Sequence, residues 1–133
     1  MTDLASVVGA TLVTLAIVAG VVIGGHDATY FVPPPESVAE SFTRHVASRR
    51  YDRAVRFIDR SSGISESEVR QRGERLHAEA GGIDQVEGEP GAINGASATA
   101  SALIVTERAG RVRFRFRLVR TRYIWLIAEW TER

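Results

Sequence analysis

The sequence predicts an α+β domain of three helices and a four-stranded antiparallel sheet, preceded by a single transmembrane helix. Three observations lead to this fold class. Residues 4–25 contain no charged side chain. Apolar residues then recur at helical spacing over 36–80, and over 83–130 they alternate with polar residues at a spacing of two. Helices followed by a run of antiparallel strands typically cover one face of the sheet.

Residues 4–25 have the length and composition of a membrane span. A helix of these 22 residues is about 33 Å long, and the hydrocarbon core of a bilayer is about 30 Å thick. The preceding Met-Thr-Asp lacks the Lys or Arg of a cleaved signal peptide. We therefore predict an uncleaved anchor at 1–25. Small residues recur along it at a spacing of four: Ala16, Gly20 and Gly24. Two interpretations stay open, a face through which two such helices dimerise and the general abundance of Gly and Ala in membrane spans.

A proline-rich linker at 26–35 joins the predicted anchor to a domain at 36–133. Three consecutive prolines at its end favour an extended polyproline II spacer. Helices are predicted at 35–49, 51–58 and 65–80. The third begins at a Ser-Glu-Ser-Glu capping box over 65–68 and ends at two glycines, which readily adopt a left-handed cap.

Four strands follow, at 83–88, 96–107, 111–119 and 123–130. The first is expected to end in a turn at the Glu-Pro-Gly of 89–91. The third alternates most regularly. It carries Phe114 and Phe116 on one face, and Arg113, Arg115 and Arg117 on the other.

The expected register places the large rings of the third strand beside small or aliphatic partners. Folding the chain about position 109 pairs Phe116 with Ala102, and folding it about position 121 pairs Phe116 with Leu126. A one-residue slip would mix the two faces, so the apolar pattern favours this register. The same register sets Glu129 opposite Arg113 as a cross-strand ion pair.

The arginine face of the sheet is predicted to be an interaction surface. It carries Arg113, Arg115 and Arg117 beside Leu103 and Trp125, and Arg and Trp are enriched in protein interfaces. In this register Arg117 lies opposite Trp125. Three interpretations stay open: a solvated face with internal ion pairs, a contact with a second copy or an envelope protein, and attraction to anionic lipid.

The order of elements and three local patterns resemble the nuclear transport factor 2-like (cystatin-like) superfamily, especially its bacterial membrane-anchored members of unknown function. This resemblance implies a cone-shaped domain over 36–130 and an extracytoplasmic position. Members of the superfamily include isomerases, dehydratases and non-enzymatic binding modules, so the fold leaves the activity open. The patterns are Pro35-Glu36-Ser37-Val38 with Phe42, Arg50-Tyr51-Asp52-Arg53-Ala54, and Tyr123-Ile124-Trp125-Leu126-Ile127.

A cone-shaped domain could hold a ligand between its helices and its sheet. The side chains expected to line that pocket are His45, Tyr51, Phe114 and Phe116. His45 borders the buried side of the first helix, a position more typical of a solvated histidine than of a general base. No His or carboxylate set has metal-ligand spacing. We therefore assign no catalytic residue, metal or cofactor.

Composition narrows the function classes further. The absence of Cys excludes disulfides, thiolate metal sites and Cys nucleophiles. A formal net charge of +1 does not indicate nucleic-acid binding. Our leading hypothesis is a single-pass, membrane-anchored, non-enzymatic binding or scaffolding domain at the cell envelope. The alternative is a small-ligand-binding or enzymatic domain with its pocket between helices and sheet.

Overall fold

Three helices precede a four-stranded antiparallel sheet in the computed structural model of the protein, which describes residues 32–132. The strands follow one another in the order β1-β2-β3-β4. The predicted α+β layout of this part of the chain is confirmed. The helices are α1 (Pro35–Ala47), α2 (Tyr51–Ala54) and α3 (Glu66–Ala80), and the strands are β1 (Ile83–Asn94), β2 (Ser97–Thr106), β3 (Arg111–Arg120) and β4 (Trp125–Glu132).

The predicted transmembrane anchor at 1–25 lies outside the described residues, together with its proposed dimer face of Ala16, Gly20 and Gly24. Between positions 32 and 132, no helix is both long enough and apolar enough to cross a bilayer.

The helix ends follow local sequence signals. Ser65 caps α3, because its hydroxyl accepts a hydrogen bond from the Glu68 N–H at 3.1 Å, as the capping-box pattern predicts. At the end of α1, Arg49 adopts a left-handed φ of 60°, and the Arg50 N–H reaches back to the carbonyl of His45 at 2.8 Å. This is the Schellman arrangement, and it ends α1 before the predicted position 49.

The predicted helix at 51–58 is α-helical only as far as Ala54. The chain tightens into a 3₁₀ turn at Val55–Phe57. Ile58 then becomes extended and forms a parallel bridge with Ile127 of β4. The helix ends early because Ile58 pairs with β4 in an extended conformation.

The predicted turn at 89–91 is wrong, because β1 runs through it to Asn94. β1 is an edge strand, so the missing N–H of Pro90 can face away from the ladder. A register irregularity lies between Pro90 and Ile93. Gly91 sits so close to β2 that a Cβ atom would clash with the carbonyl oxygen of Thr99.

The registers also differ from the prediction. Phe116 pairs with Ala100 rather than Ala102, a shift of two that preserves the faces. On its other side Phe116 pairs with Trp130 rather than Leu126. An irregularity between Arg117 and Leu118 then turns the first half of β4 over. As a result Trp125 and Ile127 lie on the inner, helix-covered face and are buried.

Side chains of α1 cover part of the free edge of β1. Arg44 donates to the carbonyl oxygen of Val86 at 3.0 Å, and Glu40 accepts from the Gly88 N–H at 3.0 Å. Arg44 and Glu40 also form an ion pair at 2.8 Å. They occupy the donor and acceptor that an added strand would need, so this stretch of edge is closed to strand pairing.

The free edge of β4 is covered in a similar way. Arg72 of α3 donates to the carbonyl oxygen of Trp130 at 3.0 Å. The Asp59 N–H donates to the carbonyl oxygen of Ile127 at 2.8 Å. These contacts leave the outer face of the sheet, opposite the helices, as its main open surface.

Candidate functional site

Aromatic rings fill the space between the helices and the sheet, where a ligand pocket is predicted. Phe114 and Phe116 are 0% and 3% exposed. The ring of Phe42 from α1 packs edge-to-face on the rings of Phe116 and Trp130. The distances between ring centroids are 5.6 Å and 5.0 Å. Phe114 contacts Trp130 at 5.1 Å. These contacts make the inner face of β3 part of the hydrophobic core.

Tyr51 is buried in the same core but directs its hydroxyl outward. The Tyr51 hydroxyl donates to the Glu74 carboxylate at 2.6 Å, and Arg49 donates to the same oxygen at 3.1 Å. Burial, followed by the bond to Glu74, raises the pKa of Tyr51 to about 12. The Tyr51 hydroxyl is therefore protonated at neutral pH. Its hydrogen bond to Glu74 joins α2 to α3.

His45 is half-buried at the end of α1, apart from the phenylalanines. The Arg50 Nε–H donates to its Nδ1 at 3.0 Å, and its ring stacks on Phe57 at 5.8 Å. Burial lowers the pKa of His45, and the charges of Arg50 and Arg53 lower it further. His45 is therefore neutral at pH 7. The four predicted pocket residues are thus directed to three different environments.

The outer face of β3 presents four arginines in different electrostatic states: Arg111, Arg113, Arg115 and Arg117. Arg113 is paired with Glu89 of β1 at 2.9 Å, and Arg117 with Glu129 of β4 at 3.1 Å. Arg115 lies between them, exposed, and within the described part of the chain it has no acidic partner. Arg111, at the start of the strand, is likewise without an ion pair among residues 32–132. Arg115 is the uncompensated guanidinium at the centre of the face.

Arg115 lies in a shallow groove of about 430 Å³ on this outer face. In the sheet register it is flanked by Ser101 of β2 and Thr131 of β4. The groove offers hydrogen-bonding hydroxyls around one free positive charge. Its polar lining consists of Thr99, Ser101, Arg115, Arg117, Glu129 and Thr131. We call these six residues the Arg115 groove.

The predicted interaction face needs one correction. Leu103 lies on the outer face, where it pairs with Arg113 in the register. Trp125 lies on the inner face and is 4% exposed, because the irregularity in β3–β4 pairing reverses its orientation. Arg120, rather than Arg117, has its guanidinium near the Trp125 ring, at 5.9 Å.

The two acids that pair with Arg113 and Arg117 do not lie where the sequence predicts them. Glu129 was expected opposite Arg113, but it pairs with Arg117. Glu89 was expected in a turn, but it lies in β1 and pairs with Arg113. The alternation of Gln85, Glu87 and Glu89 was the available signal that β1 continues as a strand with a polar outer face.

A second cleft and the distribution of metal-ligating side chains are less suited to binding. A cleft of about 480 Å³ lies beside the 3₁₀ turns, next to Asp59 and Arg60, but the Asp59 carboxylate accepts a hydrogen bond from Ser61. In the span 32–132, no cluster of His, Asp and Glu side chains could hold a metal ion. The Arg115 groove is thus the candidate site, because it holds a charged side chain without an acidic partner among residues 32–132.

Comparison with solved structures identifies the fold. A protein described as a nuclear transport factor 2-like transpeptidase from Campylobacter jejuni aligns with a TM-score of 0.59 and 21% identity, over 71% of this chain and 97% of its own. A SEC-C motif containing protein from Rhodopseudomonas palustris aligns with a TM-score of 0.56 and 16% identity, over 74% of this chain and 77% of its own. No protein-family model and no curated protein matches the sequence. The domain therefore has a nuclear transport factor 2-like fold, and identities this low say nothing about activity.

Proposed function

We propose that this protein is a membrane-anchored binding module whose Arg115 groove holds an acidic segment of a partner protein at the cell envelope. The observation that carries the proposal is the free guanidinium of Arg115 between two arginines that are each neutralised by Glu. The anchor is the span predicted at 4–25, and the domain is expected on the extracytoplasmic side.

The packing of the domain favours the outer face over other surfaces. The inner face of the sheet is occupied by the rings of Phe42, Phe114 and Phe116. Side chains from α1 and α3 bond to backbone groups along the free edges of β1 and β4. A partner that met the sheet would thus meet side chains of the outer face rather than its backbone.

The chemistry of the groove suits a carboxylate. An Arg side chain can donate two parallel hydrogen bonds to one carboxylate, and such charge-assisted bonds are stronger than neutral ones. The hydroxyls of Ser101 and Thr131 stand on either side of Arg115 in the register. Glu89 and Glu129 are held by Arg113 and Arg117, so the guanidinium of Arg115 is the one in the groove left for the carboxylate of a partner.

The test uses the full chain in neutral detergent and a fluorescein-labelled oligoglutamate peptide, with affinity measured by anisotropy. Arg115→Gln should weaken binding by about 10- to 100-fold, because a hydrogen bond to a charged group contributes about 1.5–3 kcal/mol. The matched control is Arg75→Gln, which removes an exposed arginine of α3. Equal affinity of wild type and Arg115→Gln would overturn the proposal.

A dimer through Ala16, Gly20 and Gly24 would bring two such grooves together at high effective concentration. Crosslinking in native membranes tests this part separately. The double substitution of Gly20 and Gly24 by Leu should lower the dimer yield, since bulky side chains keep the helix backbones apart. An unchanged yield would remove the dimer from the proposal and leave the groove unaffected.

A further inference from the structure

Two turns lie side by side at one end of the sheet and expose apolar side chains. The Arg120 N–H donates to the carbonyl oxygen of Ala96 at 2.9 Å, which joins the β3–β4 turn to the β1–β2 turn. Ile93 is 62% exposed and Tyr123 is 56% exposed, the two large hydrophobic side chains most open to solvent in the described domain. We call residues 93–96 and 120–123 the sheet tip.

The sheet tip is positively charged. Arg120 and Arg122 belong to it, and neither forms an ion pair with a carboxylate of residues 32–132. Their guanidinium groups lie 5.9 Å from the ring centroid of Trp125 and 5.7 Å from that of Tyr123. The tip itself contains no acidic residue. Exposed apolar groups and uncompensated arginines therefore occur together on one small surface.

The chain enters α1 from the direction of this end of the sheet. Gly88 allows a close approach of α1 to β1, since a Cβ atom there would clash with the carbonyl oxygen of Glu36. Further along α1, Arg44 reaches the carbonyl of Val86. The helix therefore runs antiparallel to β1, and its first residues point in the direction in which β1 continues toward the tip.

We propose that the sheet tip contacts the surface of an anionic phospholipid bilayer. This inference rests on the membrane anchor of the proposed function, because only residues 26–34 separate the span predicted at 4–25 from α1. Ile93 and Tyr123 enter the interfacial zone, where aromatic side chains are favoured. Arg120 and Arg122 bind the lipid phosphates, and each arginine at an anionic surface strengthens the contact about fivefold.

The opposite end of the sheet provides a matched control. In the β2–β3 turn, the Arg108 N–H donates to the carbonyl of Ala80 at 2.8 Å, and the Glu107 carboxylate accepts from the Gly82 N–H at 3.1 Å. This turn is tied to the end of α3 and carries an acid. Ala109 is exposed in it and marks a solvent-facing position far from the tip.

The test places single cysteines in the full chain, which has no natural Cys. Ile93→Cys and Ala109→Cys are labelled with an environment-sensitive dye and reconstituted in vesicles of phosphatidylcholine with or without phosphatidylglycerol. Quenching by spin-labelled lipid then reports contact with the bilayer. We expect quenching at 93 but not at 109, stronger with phosphatidylglycerol. Replacing both Arg120 and Arg122 by Gln should shift the docked-to-free ratio about 25-fold toward the free state.

Flotation of the vesicles after a high-salt wash separates this inference from the anchor. If the chain floats and the label at 93 is as unquenched as that at 109, the tip contact is overturned and the anchor stands. If the chain does not float but the label at 93 is quenched by anionic vesicles, the tip contact is supported and the anchor is overturned. If neither is seen, both are overturned.

Discussion

The two faces of β3 use the same alternating sequence for opposite purposes. Phe114 and Phe116 point inward and are enclosed by rings from α1 and β4. Arg113, Arg115 and Arg117 point outward, and only two of these three have acidic partners. One face is therefore closed by packing, while the other keeps a free charge at its centre.

Arginine itself shows the same contrast. The side chain of Arg72 is 16% exposed, lies 3.7 Å from the ring centroid of Trp130, and forms ion pairs with Glu68 and Glu132. It seals the core where α3 meets β4. Arg115 makes none of these contacts. An arginine in this protein is therefore structural or available for binding according to its surroundings, which an arginine-rich composition alone does not reveal.

The largest effect is expected on the inner face. Phe116→Ala should lower the free energy of unfolding by about 3–5 kcal/mol, because it removes a fully packed ring and leaves a cavity. Urea denaturation of the full chain, followed by tryptophan fluorescence, measures this. Arg115→Ala on the neighbouring outer position should change the same quantity by less than about 0.5 kcal/mol. Similar losses for the two variants would contradict the contrast between the faces.

The close approach of α1 to the inner face can be broken at Gly88. Gly88→Ala should cost about 3 kcal/mol, since the added methyl group would meet the backbone carbonyl of Glu36, which cannot move without shifting α1. The control is Gly82→Ala, where the nearest atom to the new Cβ would lie at 3.6 Å. A Gly88 variant as stable as the Gly82 variant would show that α1 packs differently.

Arg72→Ala should destabilise the domain by about 2 kcal/mol, through loss of hydrogen bonds to a charged group and of its contact with the Trp130 ring. Arg75→Ala removes an exposed arginine of the same helix that forms no ion pair among residues 32–132, so it should change stability by less than about 0.5 kcal/mol. Thermal unfolding of the two variants compares them. Equal melting temperatures would argue against a structural role for Arg72.

A smaller effect is expected at Tyr51, where the core meets the surface. Tyr51→Phe should cost about 1 kcal/mol at pH 7 by removing the hydrogen bond to Glu74. Because folding raises the pKa of Tyr51 from 10.0 to about 12, the folded state holds its proton more tightly. Its stabilising contribution is therefore complete below pH 10 and is lost as the pH rises from 10 to 12.

Unfolding measured across that pH range should show a steeper loss of stability in wild type than in Tyr51→Phe. Parallel curves for the two proteins would contradict the role assigned to the Tyr51–Glu74 bond.

Features that depend only on neighbouring residues, such as a helix start or the two faces of a strand, were predicted correctly from the sequence. The capping box fixed the start of α3, and the strict alternation in β3 separated its faces. The partners of β3 could not be predicted in the same way. The apolar residues around Trp125 are compatible with either face of the sheet. Both Trp125 and Trp130 can be buried only because of the irregularity after Arg117. Which face Trp125 occupies depends on the helices packed against the sheet. The residue patterns of two paired strands carry no information about those helices.

The extent of β1 was missed for a related reason. A proline ends a central strand but is tolerated at an edge, and the position of a strand in the sheet is a property of the whole fold. With β1 cut short, Glu89 could not be placed beside Arg113. The free state of Arg115 could therefore be recognised only from the register and the ion pairs of its neighbours.

The most direct test of the central claim is one ¹⁵N–¹H NMR titration of the full chain with the oligoglutamate peptide. It follows two side-chain signals together. One is the Nε–H of Arg115 on the outer face. The other is the indole N–H of Trp130, whose Nε1 is buried without a hydrogen-bond partner among the described residues. We predict that the Arg115 signal shifts on binding while that of Trp130 stays in place. A shift at Trp130 with an unchanged Arg115 would locate binding in the core and contradict the account.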